Sequence, residues 1–340
     1  LKESAKRDVR SRVAAGEVDL LIGTHALIED SVEFARLGLA IVDEQHRFGV
    51  HQRLALRMKG TQDDVAAQPH QLMMSATPIP RTLAMSYYAD LDVSVIDELP
   101  PGRVPVNTRL VSEARRDEVI ARIRDACMAG SQAYWVCPLI EESEALQLKT
   151  ALETYATLKQ TFPELKVGLV HGRLKPDEKS RVMQAFQAGE IQLLVATTVI
   201  EVGVDVANAS LMVIEHAERM GLSQLHQLRG RVGRGAERST CILLYQNPLT
   251  AAARERLKII FENHDGFEVA RHDLRLRGPG ELLGARQSGV PLLRFADLAA
   301  DVDLLDAARD LADRLVRDNP AAVRAHLARW LGERHEYLKV

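Results

Sequence analysis

Short apolar runs recur along the chain. Between them lie longer stretches whose apolar positions return every three or four residues. The runs at 18–22, 39–42, 71–74, 93–96, 106–111, 133–137, 167–170, 191–196, 211–214 and 240–245 predict strands. The continuously apolar ones, such as Leu39–Val42, predict strands covered on both faces of a parallel sheet. Helical periodicity predicts helices over the first fifteen or so residues and over 115–128, 141–161, 177–186 and 222–228. Strands separated by helix-length segments build βαβ units. From residue 251 the strand signal fades, and helices are predicted near 251–263, 266–276, 297–316 and 320–331. Between 97 and 105 lie three prolines and a glycine, which can continue neither a helix nor a central strand. A domain boundary is placed there. The expected organisation is 1–104, 105–250 and 251–340: two αβ domains and a helical appendage.

Composition narrows this picture. The 340 residues are 46% hydrophobic and 27% charged, ordinary globular values with room for about two domains. A net charge of -3 gives no global basic signature, so any nucleic-acid contact is local. Aromatic residues at 4% argue against a base-stacking platform. Cys127, Cys137 and Cys241 lack metal-ligand spacing and read as core thiols in a reducing, cytoplasmic setting. No apolar run approaches the length of a membrane span.

Candidate chemistry sits where strands end. In open α/β sheets ligands bind beyond the carboxyl ends of strands. Leu39–Val42 runs into Asp43-Glu44-Gln45-His46, a carboxylate pair suited to Mg²⁺ on a nucleotide and to orienting a water. Acids capping the next helix would give the same local pattern. Gly23-Thr24-His25 can offer an amide and a hydroxyl to a phosphate, or equally a turn with a helix cap. Ser75-Ala76-Thr77 places two hydroxyls beside the neighbouring strand end. Thr197-Thr198, followed by Gly203 and Asp205, suits a DNA phosphate on one side and a ribose or phosphate on the other, or a capped turn. Gln227-Leu228-Arg229-Gly230-Arg231-Val232-Gly233-Arg234 carries guanidinium forks for phosphate oxygens, or a solvated arginine-glycine loop.

The order of these motifs, with His171-Gly172-Arg173 between the linker and Thr197, resembles the motor of superfamily 2 helicases and translocases. Residues 43–50 (Asp-Glu-Gln-His-Arg-Phe-Gly-Val), 75–82 (Ser-Ala-Thr-Pro-Ile-Pro-Arg-Thr) and 133–144 resemble the RecG branch. Residues 271–289 look like the translocation motif that this branch shares with the transcription-repair coupling factor. The resemblance implies two RecA-like parallel-sheet domains, the first incomplete, and an ATP-dependent double-stranded DNA translocase that remodels stalled forks and Holliday junctions. It implies that Asp43 binds Mg²⁺, Glu44 orients water, and Gln45 and His46 couple hydrolysis to domain movement. Gln227, Arg231 and Arg234 would close over the γ-phosphate. Ser75, Thr77, Gly203 and Asp205 would serve coupling. Thr24, His25, Arg173, Lys175, Thr197 and Thr198 would meet the DNA backbone. Arg271, Arg277 and Gln287 would serve translocation. Branched DNA is the expected partner of a monomer, with single-stranded DNA-binding protein as a further one. The competing readings are the motor of a transcription-repair coupling factor and a non-catalytic DNA-binding module.

The sequence departs from the family in one respect. No Gly-x-x-x-x-Gly-Lys-Ser/Thr phosphate loop is present, and the family places it upstream, as it does its wedge domain. The expectation is a C-terminal fragment, inactive by itself.

Overall fold

A computed structural model describes residues 3–45, 48, 52, 55–56, 58–59, 69–75, 94–98, 102–137, 144–197, 206, 208–233, 235, 238–277, 301 and 304–331. The expectations for His46, Thr77, Thr198, Gly203, Asp205, Arg234 and Gln287 lie outside these residues, as does the side chain of Arg277. In chain order the elements are α1 (Glu3–Ala14), β1 (Leu39–Val42), β2 (His70–Met73), β3 (Asn107–Ser112), α2 (Arg116–Met128), β4 (Gln132–Val136) and α3 (Glu144–Thr161). There follow β5 (Val167–Val170), α4 (Pro176–Gln187), β6 (Leu193–Ala196), β7 (Ala209–Ile214), α5 (Leu222–Arg229), β8 (Thr240–Tyr245), α6 (Ala251–Glu262), α7 (Gly266–Arg277), α8 (Leu305–Asp318) and α9 (Pro320–Leu331). The chain divides into two units, Leu1–Ala76 with Leu283–Val340, and Thr77–Leu282.

The second unit is a six-stranded parallel sheet of order β3-β8-β7-β4-β6-β5. Its inner strands β4, β6 and β7 read as largely apolar runs because both faces are covered, while the edge strand β3 exposes Asn107 and Arg109. In β4, Ala133 and Trp135 join Ile123 and Cys127 of α2 and Leu158 of α3 on one side. Tyr134 and Val136 join Phe186 of α4, Leu225 of α5 and Ile260 of α6 on the other. The Tyr134 and Phe186 rings meet at 4.9 Å between centroids. Leu257 and Val269 belong to the same cluster, so this core continues past residue 250 into α6 and α7. Because all strands are parallel, their carboxyl ends share one rim, and the loops there are where ligands are expected.

In the first unit β1 and β2 form a two-stranded parallel sheet. Here two expectations fail. Residues 18–22 are not a strand, nor are 94–96 of the second unit, and Leu20, Ile22 and Ile96 are exposed. Their apolar content finds no strand partner among the described residues. Leu39–Val42 is a strand but is covered on one face only: Ala40 and Val42 are buried, while Leu39 and Ile41 are 54% and 56% exposed. A two-stranded sheet is marginal on its own. Amide exchange in β1 and β2 is therefore expected to run roughly tenfold or more faster than in β4, β6 and β7. Equal protection in a hydrogen-exchange measurement would contradict this.

Candidate functional site

Main-chain bonds fix the acid pair. The β1–β2 ladder sets Val42 beside Met73. It then continues through Met74 N–H to Val42 O (2.8 Å) and Gln45 N–H to Met74 O (2.9 Å). Asp43 and Glu44 thus project from a strand end held on both sides, with Ser75 next in line on β2. Asp43 is exposed, and its Oδ1 accepts the Glu44 N–H at 2.8 Å. Glu44 has φ +54°, in the left-handed region, where a residue with a Cβ pays about 1–2 kcal/mol. Such conformations persist where the surroundings over-determine them, as the bonds at Met74 do here. The donors suit Mg²⁺, which binds through one or two carboxylates and takes its remaining ligands from phosphates and water. Among the described residues no group of three or more His, Cys, Asp or Glu could hold a metal by itself.

Thr24 and His25 are exposed, and Thr24 makes no side-chain cap bond to the turn at His25–Leu27. The helix-cap reading of Thr24 therefore loses its support. His25 meets Phe48 edge-on at 6.0 Å, tying this turn to the segment that follows the acids.

In the second unit α5 buries Leu222, Leu225 and Leu228 and keeps Gln227 half-buried. The chain then turns, with Arg231 N–H bonded to Leu228 O at 2.9 Å. Val232 is buried beneath the turn, and Arg231 is half-buried on it. Arg229 does something else. It is 4% exposed and donates to Ile260 O and Asn263 O, both at 2.8 Å, and at 3.4 Å to His264 O and Thr108 Oγ1. It closes the carboxyl end of α6, where unpaired carbonyls and the helix dipole both favour a cation. Burial pulls its pKa below the ordinary arginine value. Its Nη2 lies 3.0 Å from His226 Nδ1. Since arginine only donates, that nitrogen accepts and the ring is neutral. Burial first, and the Arg229 charge second, lower the His226 pKa to about 4.

Further polar contacts around Glu215 and Asp273 escape sequence reasoning. Arg116 reaches Oε1 of buried Glu215 at 2.6 Å, lies over the Trp135 ring at 5.3 Å, and contacts Glu113 at 3.4 Å. Burial, then the Glu215 charge, raises the Glu113 pKa. Cys137 Sγ donates to Glu215 Oε2 at 3.5 Å, and burial pushes the thiol pKa well up, so it is a structural thiol. Ser223 Oγ donates to buried Asp273 at 2.9 Å, joining α5 to α7. Contacts between residues this far apart in sequence leave no local pattern.

The DNA candidates separate by burial. Arg173 and Lys175 are exposed in the loop after β5, at the carboxyl rim. Thr197, at the end of β6, is buried and as placed offers no surface to a phosphate. Arg271 is exposed on α7 and pairs with Glu268 at 2.6 Å; Arg277 ends that helix.

Comparison with known proteins follows this division. Residues 1–86 match the family profile described as "DEAD/DEAH box helicase", and 116–236 match "Helicase conserved C-terminal domain". Residues 263–332 match "ATP-dependent DNA helicase RecG, domain 3, C-terminal". The chain is 56% identical to the ATP-dependent DNA helicase RecG of Acidithiobacillus ferridurans over 98% of its own length and 48% of that protein. For the RecG of Escherichia coli K12 the values are 55%, 99% and 48%. A solved structure of RecG bound to a three-way DNA junction superposes with a TM-score of 0.66 at 47% identity, covering 90% of this chain and 38% of that one. The helicase Lhr of Mycobacterium smegmatis, at 19% identity and a TM-score of 0.54, shares the fold. The chain spans about half the length of the curated relatives it matches. All three profiles occur in order, and the chain is similar to RecG helicases along nearly its whole length.

Proposed function

We propose that this chain supplies much of the motor of an ATP-dependent double-stranded DNA translocase that remodels branched DNA, such as stalled forks and Holliday junctions. The observation that carries this reading is the acid pair, locked by main-chain bonds at the carboxyl end of β1 with Ser75 beside it. A carboxylate placed so rigidly suits the orientation of an attacking water. The names of the relatives support ATP dependence, and the junction-bound structure supports branched DNA.

In this reading Asp43 holds Mg²⁺, which would supply charge neutralisation on the phosphates. Glu44 orients water, and Gln45 with His46 passes the nucleotide state onward. Ser75 and Thr77 relay between nucleotide and DNA sites, as do Gly203 and Asp205. Gln227, Arg231 and Arg234 serve the γ-phosphate. Thr24, His25, Arg173, Lys175 and Thr198 meet the DNA backbone, and Arg271, Arg277 and Gln287 convert motion into translocation. Arg229 of the same stretch lies outside this set, and its donors are committed to protein carbonyls.

The test uses a full-length protein carrying this sequence and a three-way junction as DNA. Glu44→Gln is expected to lower ATP turnover by roughly 10²–10⁴-fold while ATP and junction affinities hold. Unchanged turnover would overturn the reading.

A further inference from the structure

The turn that carries Arg231 is laced to the segment that leads into β3. Three contacts do this, each from a different residue. Arg103 Nη2 donates to Gly230 O at 3.4 Å. Val106 lies so close to Gly233 that a Cβ there would sit 2.8 Å from its Cγ2. Asn107 N–H donates to Ser239 O at 2.8 Å. Residues 103, 106 and 107 therefore lie along 230, 233 and 239.

Each contact has a physical reason. Gly230 O is among the last carbonyls of α5, which have no partner inside the helix and accept well from a cation. Gly233 has φ +79°, so both its backbone conformation and the Val106 side chain exclude a larger residue. Pro105, between Arg103 and Val106, fixes its own φ and stiffens the segment. The Arg103 charge also helps hold neighbouring His226 neutral.

We propose that residues 103–107 form a brace that sets how Arg231 is presented, with Arg103 as a positioning residue acting through Gly230. The two are linked directly, because Gly230 and Arg231 share a peptide plane and a shift of that carbonyl swings the Arg231 backbone. This inference rests on the reading of Arg231 as a nucleotide contact.

The test uses ATP turnover of the full-length protein at saturating DNA. Small misplacements of a positioned group cost up to about 10²-fold, and Arg103→Ala is expected to lower kcat roughly 5- to 20-fold with KM for ATP nearly unchanged. Arg103→Lys should recover most of it, since one amine can still reach one carbonyl. In an Arg231→Lys background Arg103→Ala should cost nothing further, because a residue acting through another shows no independent effect. Loss of the same factor in both backgrounds, or an unchanged kcat in the first, overturns the brace. If Arg231→Lys itself leaves turnover intact, the nucleotide reading of Arg231 fails instead. The brace is then decided by amide exchange across 229–233 in Arg103→Ala. Acceleration of roughly tenfold or more supports it, and unchanged protection overturns it.

Discussion

Arg229→Ala is expected to destabilise the second unit by roughly 3–5 kcal/mol, the range seen when a buried charged hydrogen-bonding group is cut away. Ile260 O and Asn263 O each lose a 2.8 Å charged donor in a buried site, and an unsatisfied buried carbonyl costs about 1–3 kcal/mol. The residue is 4% exposed, so water does not replace the guanidinium without opening the contact between α5 and α6. Arg229→Lys should recover less than half, because a single amine cannot span acceptors from Thr108 to His264. The measurement is urea unfolding followed by Trp135 fluorescence in a Trp330→Phe background, since Trp135 is fully buried in this unit's core. A lower midpoint with an unchanged slope is the expected signature. A shift worth less than about 1 kcal/mol would show that Arg229 is dispensable to the fold.

Two residues along, the same side chain should behave in the opposite way. In the full-length protein Arg231→Ala is expected to leave folding intact and to lower ATP turnover by roughly 10³–10⁵-fold, the scale of an arginine acting on a transferring phosphoryl group. Its position explains the difference. Arg231 is half-buried on a turn whose backbone is held by Leu228 O and whose underside is filled by Val232. Arg231→Lys should not restore turnover, because an ammonium cannot reproduce the two-point fork. Junction affinity separates the readings. If it holds, Arg231 serves the nucleotide; if it falls in step with turnover, Arg231 is a DNA contact.

This pair of arginines shows where the sequence stops being informative. Arg229 and Arg231 sit in one glycine-rich stretch, and composition offers both to phosphate. Only the position of α6 shows that one of them is spent on carbonyls. The second unit was otherwise readable, because a strand covered on both faces announces itself as an unbroken apolar run, as Leu193–Ala196 does. The first unit was read less well. Residues 18–22 there, like 94–96 of the second unit, carry the same apolar content, but strand formation needs a neighbour to pair with, and local content does not supply one. The acid pair was legible from its place after β1. The left-handed Glu44 was not, since nothing in its residue type predicts a positive φ. The pairing of Arg116 with Glu215, across 99 residues, was equally out of reach.

The parallel sheet has a practical consequence for handling the molecule. With every strand pointing the same way, the candidate loops after β5, β6 and β7 occupy one rim, and the opposite rim holds the turns at Gly130 and Gly189. That rim also receives the arginine turn, which leads into the amino end of β8, but Gly189 and Glu190 precede β6, three strands along the sheet from β8. Burial pushes the Cys127 thiol up to about 11 and the Cys241 thiol up to about 12, and Cys137 is buried with them. A cysteine introduced at exposed Glu190 is then the thiol a maleimide finds first, three strands along the sheet from the arginine turn.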